Sequence, residues 1–199
     1  LDLQAPVVYS SERELGIRIE NLDPPAIVIG NDLQSGRSEK ELAFLVGKTL
    51  TYFLPLHLMA GIYSRSDLKM LFLAAMKSVR PDMDVGENAD LMAVVDEINR
   101  RVTPTQRETL DTLITNVEVN QSDLQLGDWL ESVELSANHA GLLMCNDFEV
   151  ALNSIRSGTL SMSKLGDGEK LKDLVVYAVS ERYMGLRKRM GIAIESSES

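Results

Sequence analysis

The stretch ELAFLVGKTLTYFLPLHL, residues 41–58, decides how this chain is read. Just ahead of it, Ser38-Glu39-Lys40-Glu41 has the S-x-x-E spacing of a capping box, so a helix starts at Ser38. Leu42, Leu45, Val46, Leu50, Phe53 and Leu54 follow on one side, and Ala43, Phe44 and Gly47 fill much of the other. A helix that is apolar nearly all round lies at the centre of a domain. Pro55 ends or bends it. Lys48 is the only charged residue between Glu41 and Arg65, and Tyr52 follows it at i+4, on the same face. A lysine in such a helix needs either a buried partner or a route to solvent.

On the N-terminal side, VVY, GIRIE and AIVIG are short β-branched runs separated by Ser-Ser, Asn and Pro-Pro. They predict two or three strands in a small sheet, followed by a polar loop from Asn31 to Arg37. On the C-terminal side, Ser66 and Asp67 open a second helix that Pro81 stops, and Glu87 or Asn88 opens a third. Thr103-Pro104 is an N-cap with Pro at the first helical position, the start of a fourth. A long fifth helix is expected from Ser122 through SDLQLGDWLESVELSANHAGLLMC, a short sixth capped by Asp147, and a seventh from about Asp167. The tail, residues 194–199, is polar and expected to be disordered. No fixed-period repeat and no linker divides the chain. The expectation is one α+β domain over 1–199, mostly helical, with a small N-terminal sheet and about seven helices.

The 199 residues suffice for a proper core. Apolar residues make up 44% and charged residues 25%, the mix of a soluble globular protein. Net charge is −10, which argues against nucleic acid and anionic membrane surfaces as partners, since both need a positive field. No run approaches the ~18 apolar residues of a membrane span. Cys145 is the one cysteine, so an internal disulfide and a cysteine zinc site are ruled out; beside Leu142, Leu143 and Met144 it reads as a core hydrophobe. A cytoplasmic setting is expected. The chain begins without Met or a secretory signal, and reads as a piece of a longer protein.

Standard catalytic motifs are missing: no G-x-x-x-x-G-K-[ST], no G-x-G-x-x-G and no G-x-S-x-G. His57 and His139 belong to no H-E-x-x-H or H-x₃₋₅-H pair and read as surface or capping residues. What stands out is an arrangement. One buried helix carries Lys48 and Tyr52, and another carries Glu134 among Leu130, Val133, Ala137 and Leu142.

Strand AIVIG, a loop and then ELAFLVGKTLTYF resemble the strand and active-site helix of gluzincin metallopeptidases of the CAAX-prenyl-protease-like family, whose helix reads roughly EL-x-x-V-x-G-H-E-L-x-H. WLESVELSANHAGLLMCND, residues 129–147, is similar to the family's third-ligand helix, roughly E-x-S-A-D-R-A-G-L. The resemblance implies a zincin-like fold. It aligns Lys48 with the first zinc histidine, Thr49 with the catalytic glutamate, Tyr52 with the second histidine and Glu134 with the glutamate ligand. Asn138 stands where the family has an orienting Asp, and His139 where Arg is usual. It covers residues 25–60 and 125–150. The segment YAVSERYMGLRKRMGI is also similar to bacterial multidomain proteins in which such a domain follows helical repeats.

Of the five aligned positions, only Glu134 keeps the family's residue. A protonated lysine has no lone pair for zinc, tyrosine is a poor ligand unless ionised, and threonine cannot act as the base toward water. Asn138 lacks the charge that raises the basicity of a ligand histidine. The expectation is a metal-free, cofactor-free domain: a non-catalytic pseudo-metallopeptidase serving as a structural or protein-interaction module in a larger bacterial protein. Its partners would be another protein or other domains of the parent chain, and its old cleft could take an extended peptide at the sheet's edge. Lys48 would pair with Glu134 in place of the metal, with Tyr52 donating to the same carboxylate; otherwise Lys48 snorkels to solvent. Two alternatives stand beside this: a helical scaffold unrelated to peptidases, and a hydrolase using His139, Glu134 and Glu131.

Overall fold

The three β-branched runs form strands β1 (Val7–Ser11), β2 (Ile17–Glu20) and β3 (Ala26–Gly30). The computed structural model describes residues 5–33, 35–86, 89–115, 126–158 and 161–192. The sheet has the order β1-β3-β2, with β3 in the middle. β3 runs parallel to β1 (Val7 opposite Ala26) and antiparallel to β2 (Ile17 opposite Ile29). β2 alternates as a half-buried strand should: Ile17 and Ile19 are inside and Arg18 is outside. β1 does not alternate. Val7, Val8 and Tyr9 are all exposed, and β1 pairs on one side only among the described residues.

The protein is α+β and mostly helical, with nine α-helices among the described residues rather than about seven. It divides into two compact units: residues 1–62 with 129–199, and residues 63–128. The sequence showed no linker at either junction. The expected disorder at 194–199 lies outside the described residues, as do residues 122–125, where the fifth helix was expected to begin.

In the first unit, α1 (Glu39–Thr51) has the full capping box: Ser38 accepts from the Glu41 N–H, and the Glu41 carboxylate accepts from the Ser38 N–H. The helix ends before Pro55. The N–H groups of Tyr52, Phe53 and Leu54 reach carbonyls only three residues back, which tightens the chain into turns. A short helix α2 (Leu58–Ile62) follows. α6 (Leu126–Cys145) contributes its residues from Trp129 onward to this unit. Leu130, Val133, Glu134, Ala137, Asn138, Leu142 and Cys145 are all buried and form one continuous helical stripe. α7 (Phe148–Arg156) is capped by Asp147, whose side chain accepts from the Val150 N–H. α8 (Asp167–Ala178) and α9 (Glu181–Arg189) are separate helices because Ser180 caps the second, accepting from the Tyr183 N–H. The core joins Ile17, Ile27, Phe44, Leu45, Leu142 and Leu174.

α1 and α6 approach closely, and two glycines make this possible. A Cβ on Gly47 would lie 2.7 Å from the Ala140 carbonyl oxygen, and one on Gly141 would lie 2.7 Å from the Phe44 ring. This crossing brings the two chemistry-bearing helices together.

The second unit holds α3 (Arg65–Val79), α4 (Ala89–Arg101) and α5 (Pro104–Thr115). Ser64, not Ser66, caps α3, accepting from the Asp67 N–H. α5 begins as expected, with Thr103 accepting from the Gln106 N–H and Gln106 accepting in return from the Thr103 N–H. Ala74, Leu91 and Val95 centre this unit's own core. Arg107 ties α5 to α3 by donating to the Ser78 carbonyl at 2.7 Å.

Candidate functional site: a buried carboxylate between two lysines

Glu134 lies on the buried stripe of α6 with none of its surface exposed. Its Oε2 accepts from the backbone N–H groups of Met162 (3.1 Å) and Ser163 (2.7 Å), in the segment leading to α8. Its Oε1 faces two ammonium groups: Lys170 of α8 at 2.9 Å and Lys48 of α1 at 3.8 Å. Both lysines are buried, with 2% of the Lys48 side chain and 4% of the Lys170 side chain exposed. Lys170 also donates to the Ser161 hydroxyl at 2.7 Å. Lys48 therefore does not snorkel; the helix crossing holds it beside the carboxylate.

Electrostatics follow from this geometry. Burial by itself would raise the pKa of Glu134, but the Lys170 ammonium, the Ser163 hydrogen bonds and the charge of Lys48 outweigh it, and the carboxyl is held below its usual range. Lys48 is pushed down from its ordinary 10.5 to about 8, chiefly by burial; Glu134 opposes the shift and the like charge of Lys170 adds to it. Lys170 is the nearer partner of the carboxylate.

The other aligned residues are close by but do something different. Thr49 is fully buried and donates its hydroxyl back to the Leu45 carbonyl at 2.7 Å. Tyr52 is fully buried, and burial raises its pKa, with the charge of Glu134 adding to the shift. The expected hydrogen bond from Tyr52 to Glu134 is not formed; among the described residues the hydroxyl has no hydrogen-bond partner. Asn138 is fully buried one turn beyond Glu134, and neither its Oδ1 nor its Nδ2 has a partner among the described residues.

These residues do not fit zinc. The carboxylate oxygen Oε2 is occupied by two N–H groups, and Oε1 looks at two cations rather than at lone pairs. Among the described residues no three His, Cys, Asp or Glu side chains converge on one point.

The histidines lie apart from this cluster. His57 Nδ1 bonds the Thr51 carbonyl at 3.2 Å, a capping contact at the end of α1. His139 is more than a surface residue. Its Nε2 meets Asp173 at 2.6 Å and its ring stacks on Tyr177 with centroids 3.8 Å apart. Burial lowers its pKa, with Asp173 opposing and Arg182 adding. The carboxylate that His139 meets is that of Asp173. Cys145 is buried, its thiol donating to the Asp147 carbonyl at 3.3 Å, as a core hydrophobe should be.

Sequence reasoning missed Lys170. In DGEKLKDLVV it passes for a solvated helix charge, yet it shares the stripe of Leu174 and Tyr177 at i+4 and i+7, which was the available signal. No family model, curated protein or solved structure matches the chain. No helix among the described residues is long and apolar enough to cross a membrane.

Proposed function

We propose that this chain is a non-catalytic, metallopeptidase-like domain in which an ion cluster stands where a metal would be, and that it serves as a structural or protein-interaction module in a larger bacterial protein. The observation that carries the reading is the closed surroundings of Glu134: two backbone N–H groups on one oxygen and two ammonium groups on the other. A catalytic carboxylate needs a lone pair or a proton open to substrate or metal. Here each oxygen is engaged by α1, α8 and the segment before α8, so the carboxylate joins elements together. Such a cluster is polar glue for the interior, where an unpaired charge would be costly.

For the interaction role, the support is β1. An edge strand with Val7, Val8 and Tyr9 all exposed offers main-chain groups and apolar side chains to an extended peptide, which would add as a further strand.

The test is metal content and proteolysis measured together. Protein purified without chelator is expected to contain far less than one zinc per chain by elemental analysis, and to leave casein uncleaved. About one zinc per chain, or cleavage that survives repurification and disappears in Glu134→Ala, would overturn the proposal.

A further inference from the structure

Tyr52 and Asn138 are fully buried, and among the described residues the Tyr52 hydroxyl and both polar atoms of the Asn138 amide lack a hydrogen-bond partner. Each stands one helical turn beyond a member of the ion cluster, Tyr52 after Lys48 on α1 and Asn138 after Glu134 on α6. Glu134 Oε1, by contrast, is engaged by Lys170 at 2.9 Å and Lys48 at 3.8 Å. Buried polar groups in folded proteins are nearly always satisfied, by protein or by enclosed solvent, because an unmade hydrogen bond in the interior is costly. Several orphaned groups around one ion cluster therefore point to a guest.

Donor and acceptor chemistry narrows the class of guest. Asn138 Oδ1 needs hydrogens given to it, whereas Asn138 Nδ2 has two to give and the Tyr52 hydroxyl can do either. A halide only accepts and would sit beside the carboxylate. A metal cation only takes lone pairs and would sit beside two ammonium groups. A neutral molecule that both donates and accepts meets every demand, and a buried water typically makes about three hydrogen bonds of this kind.

We propose that the polar groups flanking the ion cluster form an enclosed binding site for water-sized, neutral hydrogen-bonding molecules, occupied by water in the resting protein. Asn138 is its main anchor, and Tyr52 completes it. The site follows from the orphaned atoms alone and does not depend on the chain's being peptidase-like.

Two measurements test it. The first is a crystal structure of the whole chain at a resolution that orders internal water, from crystals soaked in bromide. Expected is water density within hydrogen-bond distance of Asn138 Oδ1 or Nδ2, with no anomalous bromide signal there. A dry site in which Asn138 bonds only protein groups, or bromide bound at Asn138, would overturn the proposal. The second is the thermal midpoint of Tyr52→Phe. If the hydroxyl bonds enclosed water, removing it lowers the midpoint by a few degrees. If the hydroxyl is a true orphan, its deletion removes a penalty and raises the midpoint, which contradicts the site.

Discussion

At the scale of single residues, the two lysines that share one carboxylate are not equivalent. Lys170 is the closer partner and also bonds Ser161, whereas Lys48 is farther off and is shifted to about 8. Because the folded pKa of Lys48 lies below its unfolded value of 10.5, the unfolded chain holds more protons between these values. Stability contributed by this residue therefore rises as pH rises through that window, by up to about 3 kcal/mol in all. Tyr52 works in the opposite sense above about pH 10, since its folded pKa is raised and its unfolded form ionises first. Urea melts at steps from pH 7.5 to 9.5 isolate the lysine. Wild type is expected to gain stability relative to Lys48→Met at neutral pH as the pH climbs. Parallel profiles for the two proteins would mean that Lys48 is not held as a disfavoured buried ion.

At the scale of elements, the crossing of α1 and α6 governs whether the cluster assembles. Ala in place of Gly47 gains helix propensity, at most about 1 kcal/mol. It also drives a Cβ to 2.7 Å from the Ala140 carbonyl oxygen, a backbone atom that moves only if α6 moves. Overpacking of this kind costs about 1–3 kcal/mol, so Gly47→Ala is expected to destabilise. Gly185 in α9 has open space around its Cβ position, and Gly185→Ala is expected to stabilise by up to about 1 kcal/mol. Chemical denaturation of both variants checks the contrast in sign. Much at this scale was legible in the sequence, because caps and strand runs are local signals. Ser38, Thr103 and Asp147 cap the helices they were expected to cap, and the three β-branched runs are the three strands. Where the reading slipped, two local signals competed. Ser64 and Ser66 stand on either side of Arg65, the first residue of α3, and only the geometry of the turn chooses Ser64 as the cap. Nothing as strong as a proline separates α8 from α9; Ser180 alone does so.

At the scale of the whole molecule, the cluster joins residues from α1, α6, α8 and the segment at Ser161 to Ser163, far apart along the chain. Lys48 and Glu134 were readable because each interrupts a strongly apolar helix, where a charge demands a partner. Lys170 was harder to read, because its place on the stripe of Leu174 and Tyr177 is the one local mark of its burial. The unsatisfied amide of Asn138 and hydroxyl of Tyr52 are products of packing. The division at residues 62/63 and 128/129 left no compositional mark at the first junction, where Gly61-Ile62-Tyr63 reads straight on into Ser64. The central claim is that Glu134 is a structural carboxylate held by buried ammonium groups, Lys170 foremost. A double-mutant cycle with Glu134→Gln and Lys170→Met, followed by urea unfolding, tests it most directly. Each single change strands a buried charge and is expected to cost about 3–5 kcal/mol, while the double variant costs less than the sum by about 1–3 kcal/mol. Additive effects within error, or single changes costing under about 0.5 kcal/mol, would contradict the account.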